Sequence, residues 1–136
     1  LNSFVPSPQN LIQYTNRTYQ SAIKAEADVH AGGNFFWSFY RDYLILEDDG
    51  KAIMKRVYLK SQGAEINKEI LLYEGVHKRP DNGYYLFDLH LENKLSRRSW
   101  CCEIVEGDKL VCHGNFEVKG VRTTLETELF KLVAEQ

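Results

Sequence analysis

Residues 84–118 read YYLFDLHLENKLSRRSWCCEIVEGDKLVCHGNFEV. Alternation with a period of two runs through this stretch, which is the signature of strands whose successive side chains point to opposite faces. Tyr85, Phe87, Leu89 and Leu91 form one wholly apolar face, opposite Tyr84, Leu86, Asp88 and His90. Arg98, Trp100, Cys102 and Ile104 share the next face, and Leu110, Cys112, Phe116 and Val118 another, interrupted by Gly114. Glu92-Asn93-Lys94 and Glu106-Gly107-Asp108 separate the three runs as turns. A three-residue turn at 106–108 sets Cys102 directly opposite Cys112. Three cysteines make a poor disulfide framework and lean towards a reducing compartment, so two small buried thiols are expected there, with a disulfide the alternative in an oxidising compartment.

The same rhythm extends outward. Further turn signals are Asp48-Asp49-Gly50, Gln62-Gly63, Arg79-Pro80-Asp81-Asn82-Gly83 and Val118-Lys119-Gly120, short breaks that suit an antiparallel meander and not crossover helices. About seven strands are expected over 34–134. In 121–129, Val121, Thr123, Leu125, Thr127 and Leu129 oppose Arg122, Thr124, Glu126 and Glu128, and the first set is expected to be interior. Asp48-Asp49-Gly50 suits a three-residue connection, pairing Glu47 with Lys51 and Asp42 with Arg56. That register groups Phe35, Trp37, Phe39, Arg41, Tyr43 and Ile45 with Ile53, Lys55, Val57 and Leu59. This is the more apolar face and the expected interior.

Ahead of the meander, 1–8 carries two of the three prolines and reads as an extended lead-in. Ser7-Pro8 suits a helix start, and Gly32-Gly33 a stop. Leu11, Ile12, Tyr19, Ala22, Ile23 and Val29 recur at roughly helical spacing, so one helix is expected over 9–31. Asn16-Arg17-Thr18 fits the glycosylation acceptor pattern, but a helical position gives it little weight.

The chain of 136 residues suits one domain, 1–136, built on one core. A net charge of −2 argues against nucleic-acid binding, despite the basic pairs Lys78-Arg79 and Arg97-Arg98. No apolar run approaches the ~20 residues of a membrane-spanning helix. The odd count of three cysteines makes cytoplasmic residence the expectation, with secretion the other option because the sequence starts at Leu1 without Met. A mainly β chain with one apolar sheet face can close into a lipocalin-like barrel, with the helix at one end. Its alternative is an α+β sheet curved around the helix, as in cystatin-like and NTF2-like folds.

Glu106-Gly107-Asp108-Lys109-Leu110-Val111, followed by Lys119-Gly120-Val121 and a Thr-rich last strand, resembles the closing strands of calycins, especially the fatty-acid-binding group. The resemblance implies a barrel holding an apolar small molecule. Arg41-Asp42-Tyr43 is similar to the Arg-x-Tyr head-group clamp of that group, placed here on the first strand of the meander instead of the last.

Arg41, Lys55 and Arg98 sit on otherwise apolar faces. A buried cation requires a partner. Glu26 or Asp28 can supply it, or a ligand carboxylate held by an arginine fork. The expected ligand-binding residues are therefore Trp37, Arg41, Tyr43, Phe87, Arg98 and Trp100, around an apolar ligand able to carry a carboxylate. No catalytic motif and no metal-ligand spacing occurs among His30, His77, His90 and His113, and no cofactor is indicated. Two other function classes remain open. One is an enzyme using Asp88, His90 and Tyr84 as acid/base groups in a pocket between helix and sheet. The other is an interaction module pairing through a sheet edge.

Overall fold

The computed structural model describes residues 12–29, 33, 35–61, 64–81, 83–106, 108–121 and 123–133. Nine strand segments follow one another: β1 (Arg17–Ser21), β2 (Lys24–Val29), β3 (Phe35–Leu46), β4 (Lys51–Ser61), β5 (Ala64–Lys78), β6 (Phe87–Glu92), β7 (Ser96–Val105), β8 (Lys109–Val118) and β9 (Thr123–Leu132). From β3 to β9 each strand pairs with the next in antiparallel fashion, and β1 pairs with both β3 and β9. The sheet thereby closes into an eight-stave barrel, because β1 and β2 are two halves of one stave running along β3.

The helix expected over 9–31 is not formed in the described part. Residues 17–21 and 24–29 are strand; 9–11, 30 and 31 lie outside the described residues. The apparent helical stripe does not face a core, since Ile23 and Val29 are exposed while Tyr19 and Ser21, two apart, are buried. What decides the segment is tertiary: residues 17–21 bridge the edges of β3 and β9, and 24–29 continue along β3, so backbone groups on those edges find partners. The same closure removes the α+β alternative, which needed the helix, and raises the strand count from seven to eight.

The Asp48-Asp49-Gly50 connection has the expected register, with Asp42 opposite Arg56. The face assignment of this hairpin is reversed, however. Leu44, Leu46, Ala52 and Met54 are buried, whereas Phe35, Trp37 and Phe39 are exposed. The last strand is reversed as well: Leu125 is 86% exposed and Leu129 faces outward, while Glu126, Glu128 and Phe130 turn inward. Counting apolar residues misjudges these faces because the inward charges are paired with opposite charges on nearby strands, which makes their burial tolerable. For β6, β7 and β8 the expected faces hold: Phe87, Leu89, Leu91, Trp100, Cys102, Leu110 and Cys112 are buried.

Two glycines set the wall's curvature. A Cβ on Gly75 would lie 1.7 Å from the His90 carbonyl oxygen, and one on Gly114 2.1 Å from that of Ser99. At both points the strands approach more closely than any side chain allows, as occurs where a barrel wall bends.

Cys102 and Cys112 face each other as expected but form a disulfide, in place of two free thiols. Register brings their Cα atoms to 4.1 Å, and each residue is fully buried. Cys101, pointing outward beside them, is a free thiol.

Candidate functional site

The barrel has two unlike ends. At the end nearest the β3–β4 and β7–β8 turns, Leu44, Leu46, Phe87, Leu89 and Leu110 fill the lumen around the disulfide. The segment before β1 seals it. Tyr14 stacks on Phe87 with ring centroids 4.5 Å apart, and its hydroxyl shares a 2.9 Å hydrogen bond with His77 Nδ1. Arg79 lies over the outer face of the Tyr14 ring and donates to the Ile12 carbonyl. Burial pushes the Tyr14 hydroxyl above the usual tyrosine range, partly opposed by the Arg79 charge. A non-helical plug thus takes the place expected of a helix.

Towards the other end the lumen opens into a cup of about 300 Å³. Its base is Met54, Tyr73, Trp100 and Phe130, and its sides are Lys24, Tyr40, Asp42, Arg56, Arg98 and Glu128. Each of the three cations has an acid of its own. Arg56 grips Asp42 through two hydrogen bonds of 2.8 and 3.2 Å, a fork that only a guanidinium can offer. Arg98 Nε donates to Glu126 Oε1 at 2.7 Å, and Trp100 Nε1 donates to the same oxygen at 3.0 Å. Lys24 Nζ lies 2.8 Å from Glu128 Oε2.

Aromatic rings carry these charges. Arg56 sits 3.9 Å from the Tyr40 ring centroid. Arg98 is flanked by Tyr73, Trp100 and Phe116 and donates a further bond to the Tyr73 hydroxyl. Stacking of this kind supports a partly desolvated guanidinium. For Arg56, burial works against the charge, but the hydrogen bond and charge of Asp42 outweigh it and lift its pKa above the normal range. Near the rim, Tyr58 donates to Glu26 Oε1 at 2.9 Å, and burial together with that bond raises the tyrosine's pKa. The walls are therefore pre-organised dipoles and ion pairs over an aromatic base, a surface that can hold a polar ring or a short amphiphile.

Of the residues expected to bind a ligand, Arg98 and Trp100 line the cup. Phe87 is packed into the filled end against Tyr14. Trp37, Arg41 and Tyr43 belong to the outward side of β3, with Trp37 52% exposed. The acids expected to meet the cations were Glu26 and Asp28. Glu26 instead accepts from Tyr58, and β9 supplies Glu126 for Arg98. Sequence reasoning missed Lys24, Asp42, Arg56, Tyr73, Glu126 and Glu128. The opposed pair Asp42–Arg56 was itself the available signal, since two opposite charges in register mark an inward face as readily as an outward one.

Asp88, His90 and Tyr84 lie on the outer wall. Asp88 accepts a long 3.5 Å contact from the Cys101 thiol, His90 meets Ser99 Oγ at 3.3 Å, and Tyr84 is exposed. With no helix among the described residues, the pocket between helix and sheet imagined for them is not formed. Among the described residues, no helix is long and apolar enough to cross a membrane. No protein-family model, no curated protein and no solved structure matches this chain.

Proposed function

We propose that the chain is a calycin-like, non-catalytic binding protein for a small amphiphilic molecule held in the open half of the barrel. One observation carries this reading: a 300 Å³ cup whose charges are already paired, above an aromatic base and a filled apolar end. The filled end leaves no room for a long acyl chain, so the ligand is compact. Its apolar part rests on Trp100 and Tyr73, and its polar groups exchange hydrogen bonds with the Arg98–Glu126 and Arg56–Asp42 pairs. Because those pairs are internally neutral, affinity comes from ring contact and hydrogen bonding more than from net charge.

Native mass spectrometry of the purified chain, followed by a screen of small amphiphiles read by Trp fluorescence, tests it. A saturable ligand whose affinity drops about tenfold in Arg98→Lys and in Tyr73→Phe, the loss of one charge-assisted or ring-anchored bond, is the expected result. A ligand that binds both variants with wild-type affinity overturns it.

Covalent chemistry supports a reading of the compartment. A fully buried disulfide is most at home in an oxidising compartment, so secretion is favoured over the cytoplasm. Asn16 supports this: it lies exposed ahead of β1, not in a helix, so its Asn-Arg-Thr triplet is open to glycosylation. Expression through a glycosylating secretory route should add a glycan that Asn16→Gln removes. Unglycosylated, fully reduced protein from that route contradicts the assignment.

A further inference from the structure

A second concavity, of about 390 Å³, lies where β1 and β2 meet β9. It shares the Lys24–Glu128 pair and Phe130 with the cup, so that ion pair forms the partition between them. Its character is different. Arg41, Lys109 and Lys131 line it together with Lys24, against the single carboxylate of Glu128. Ala22 and Leu129 add an apolar strip.

Among the described residues, three facts leave these cations short of counter-charges. Glu128 is already engaged by Lys24 at 2.8 Å. Lys109 and Lys131 are direct cross-strand partners, an arrangement in which like charges repel, and Glu106, an exposed acid 3.1 Å from Lys109, relieves it in part. Arg41 Nε is buried and, among the described residues, has no hydrogen-bond acceptor. A buried guanidinium N–H without an acceptor is expensive, and it occurs here in a chain whose overall charge is −2.

We infer that this groove is a binding site for an oxyanion on a short apolar body, a carboxylate or a phosphate monoester. The oxyanion is held by the Arg41 guanidinium and neutralised by Lys131 and Lys109, while its chain lies along Leu129 and Ala22. The site is separate from the cup and does not depend on it.

The test follows the Arg Nε–H resonances by NMR while the protein is titrated with octanoate, octyl phosphate and inorganic phosphate. Octanoate or octyl phosphate should shift the Arg41 signal saturably and bind more tightly than inorganic phosphate, which has no apolar part. The two amphiphiles distinguish the carboxylate source from the phosphate source. Arg41→Gln and Lys131→Gln, both on the outer wall, should each weaken binding by about tenfold, the value of a charge-assisted bond, with folding checked by circular dichroism. An unmoved Arg41 signal, or wild-type affinity retained in both variants, overturns the inference. Binding that survives Arg41→Gln but is lost in Arg98→Lys also overturns it while upholding the cup. Loss in Arg41→Gln with full affinity in Arg98→Lys upholds the groove alone.

Discussion

Replacing Cys102 and Cys112 by serine removes a link that closes a loop of sequence separation 10. On loop length alone this costs about 2.5–3 kcal/mol, to be read as the difference in urea unfolding free energy between oxidised wild type and the double variant. The neighbouring Cys101 should behave differently. Burial first, then the hydrogen bond and charge of Asp88, raise its pKa above that of an ordinary thiol. At a given mildly alkaline pH less of it is thiolate, so iodoacetamide should modify native Cys101 more slowly than an unstructured cysteine, and Asp88→Asn should speed the reaction. Equal rates for all three would remove the Asp88 contact from the account. The opposition of Cys102 and Cys112 was legible in the sequence from one turn and a period of two. Their oxidation was not, because register brings two thiols together without saying which redox state they adopt.

At the scale of single elements, the outcome differs between strands for one physical reason. In β6 to β8, as in Phe87-Asp88-Leu89-His90-Leu91, the inward face is mostly apolar, with Arg98 its charged exception, and alternation identifies it. In β3 and β9 the inward faces contain Asp42, Glu126 and Glu128, and the outward faces contain Trp37, Leu125 and Leu129, so the same count points the wrong way. Hydrophobicity can be read one strand at a time, whereas the partner of a buried charge sits on another strand. Removing one member of the Asp42–Arg56 pair by Asp42→Ala should therefore cost about 3 kcal/mol, because a buried guanidinium is left alone, while the double change Asp42→Leu with Arg56→Met should be far milder. A double-mutant cycle by chemical unfolding checks this; additive costs would mean the two side chains are not coupled. Gly75→Ala belongs to the same scale. With the His90 carbonyl 1.7 Å from the new Cβ, β5 and β6 must separate, and a loss of about 2–3 kcal/mol is expected from the same unfolding measurement.

For the whole molecule, the decisive segment is 17–29. Its local pattern resembles a helix, and only the two strand edges waiting on either side make it a stave. That dependence on β3 and β9, more than a hundred residues apart in the case of Tyr19 and Leu132, is why the sequence was a poor guide here. Once the stave is in place, inside and outside are defined. The open cup lies within the wall, the basic groove outside it, and the Lys24–Glu128 pair between them. Closure also couples the two chain ends energetically, so stability and ligand sites share one seam.

The most direct measurement is a nuclear Overhauser spectrum of the seam. Closure predicts cross-strand backbone contacts from Tyr19 to both Leu44 and Leu132, and from Ser21 to Phe130. Sequential helical contacts through residues 17–29, with none from Tyr19 to residues 130–132, would contradict the barrel and with it both proposed sites.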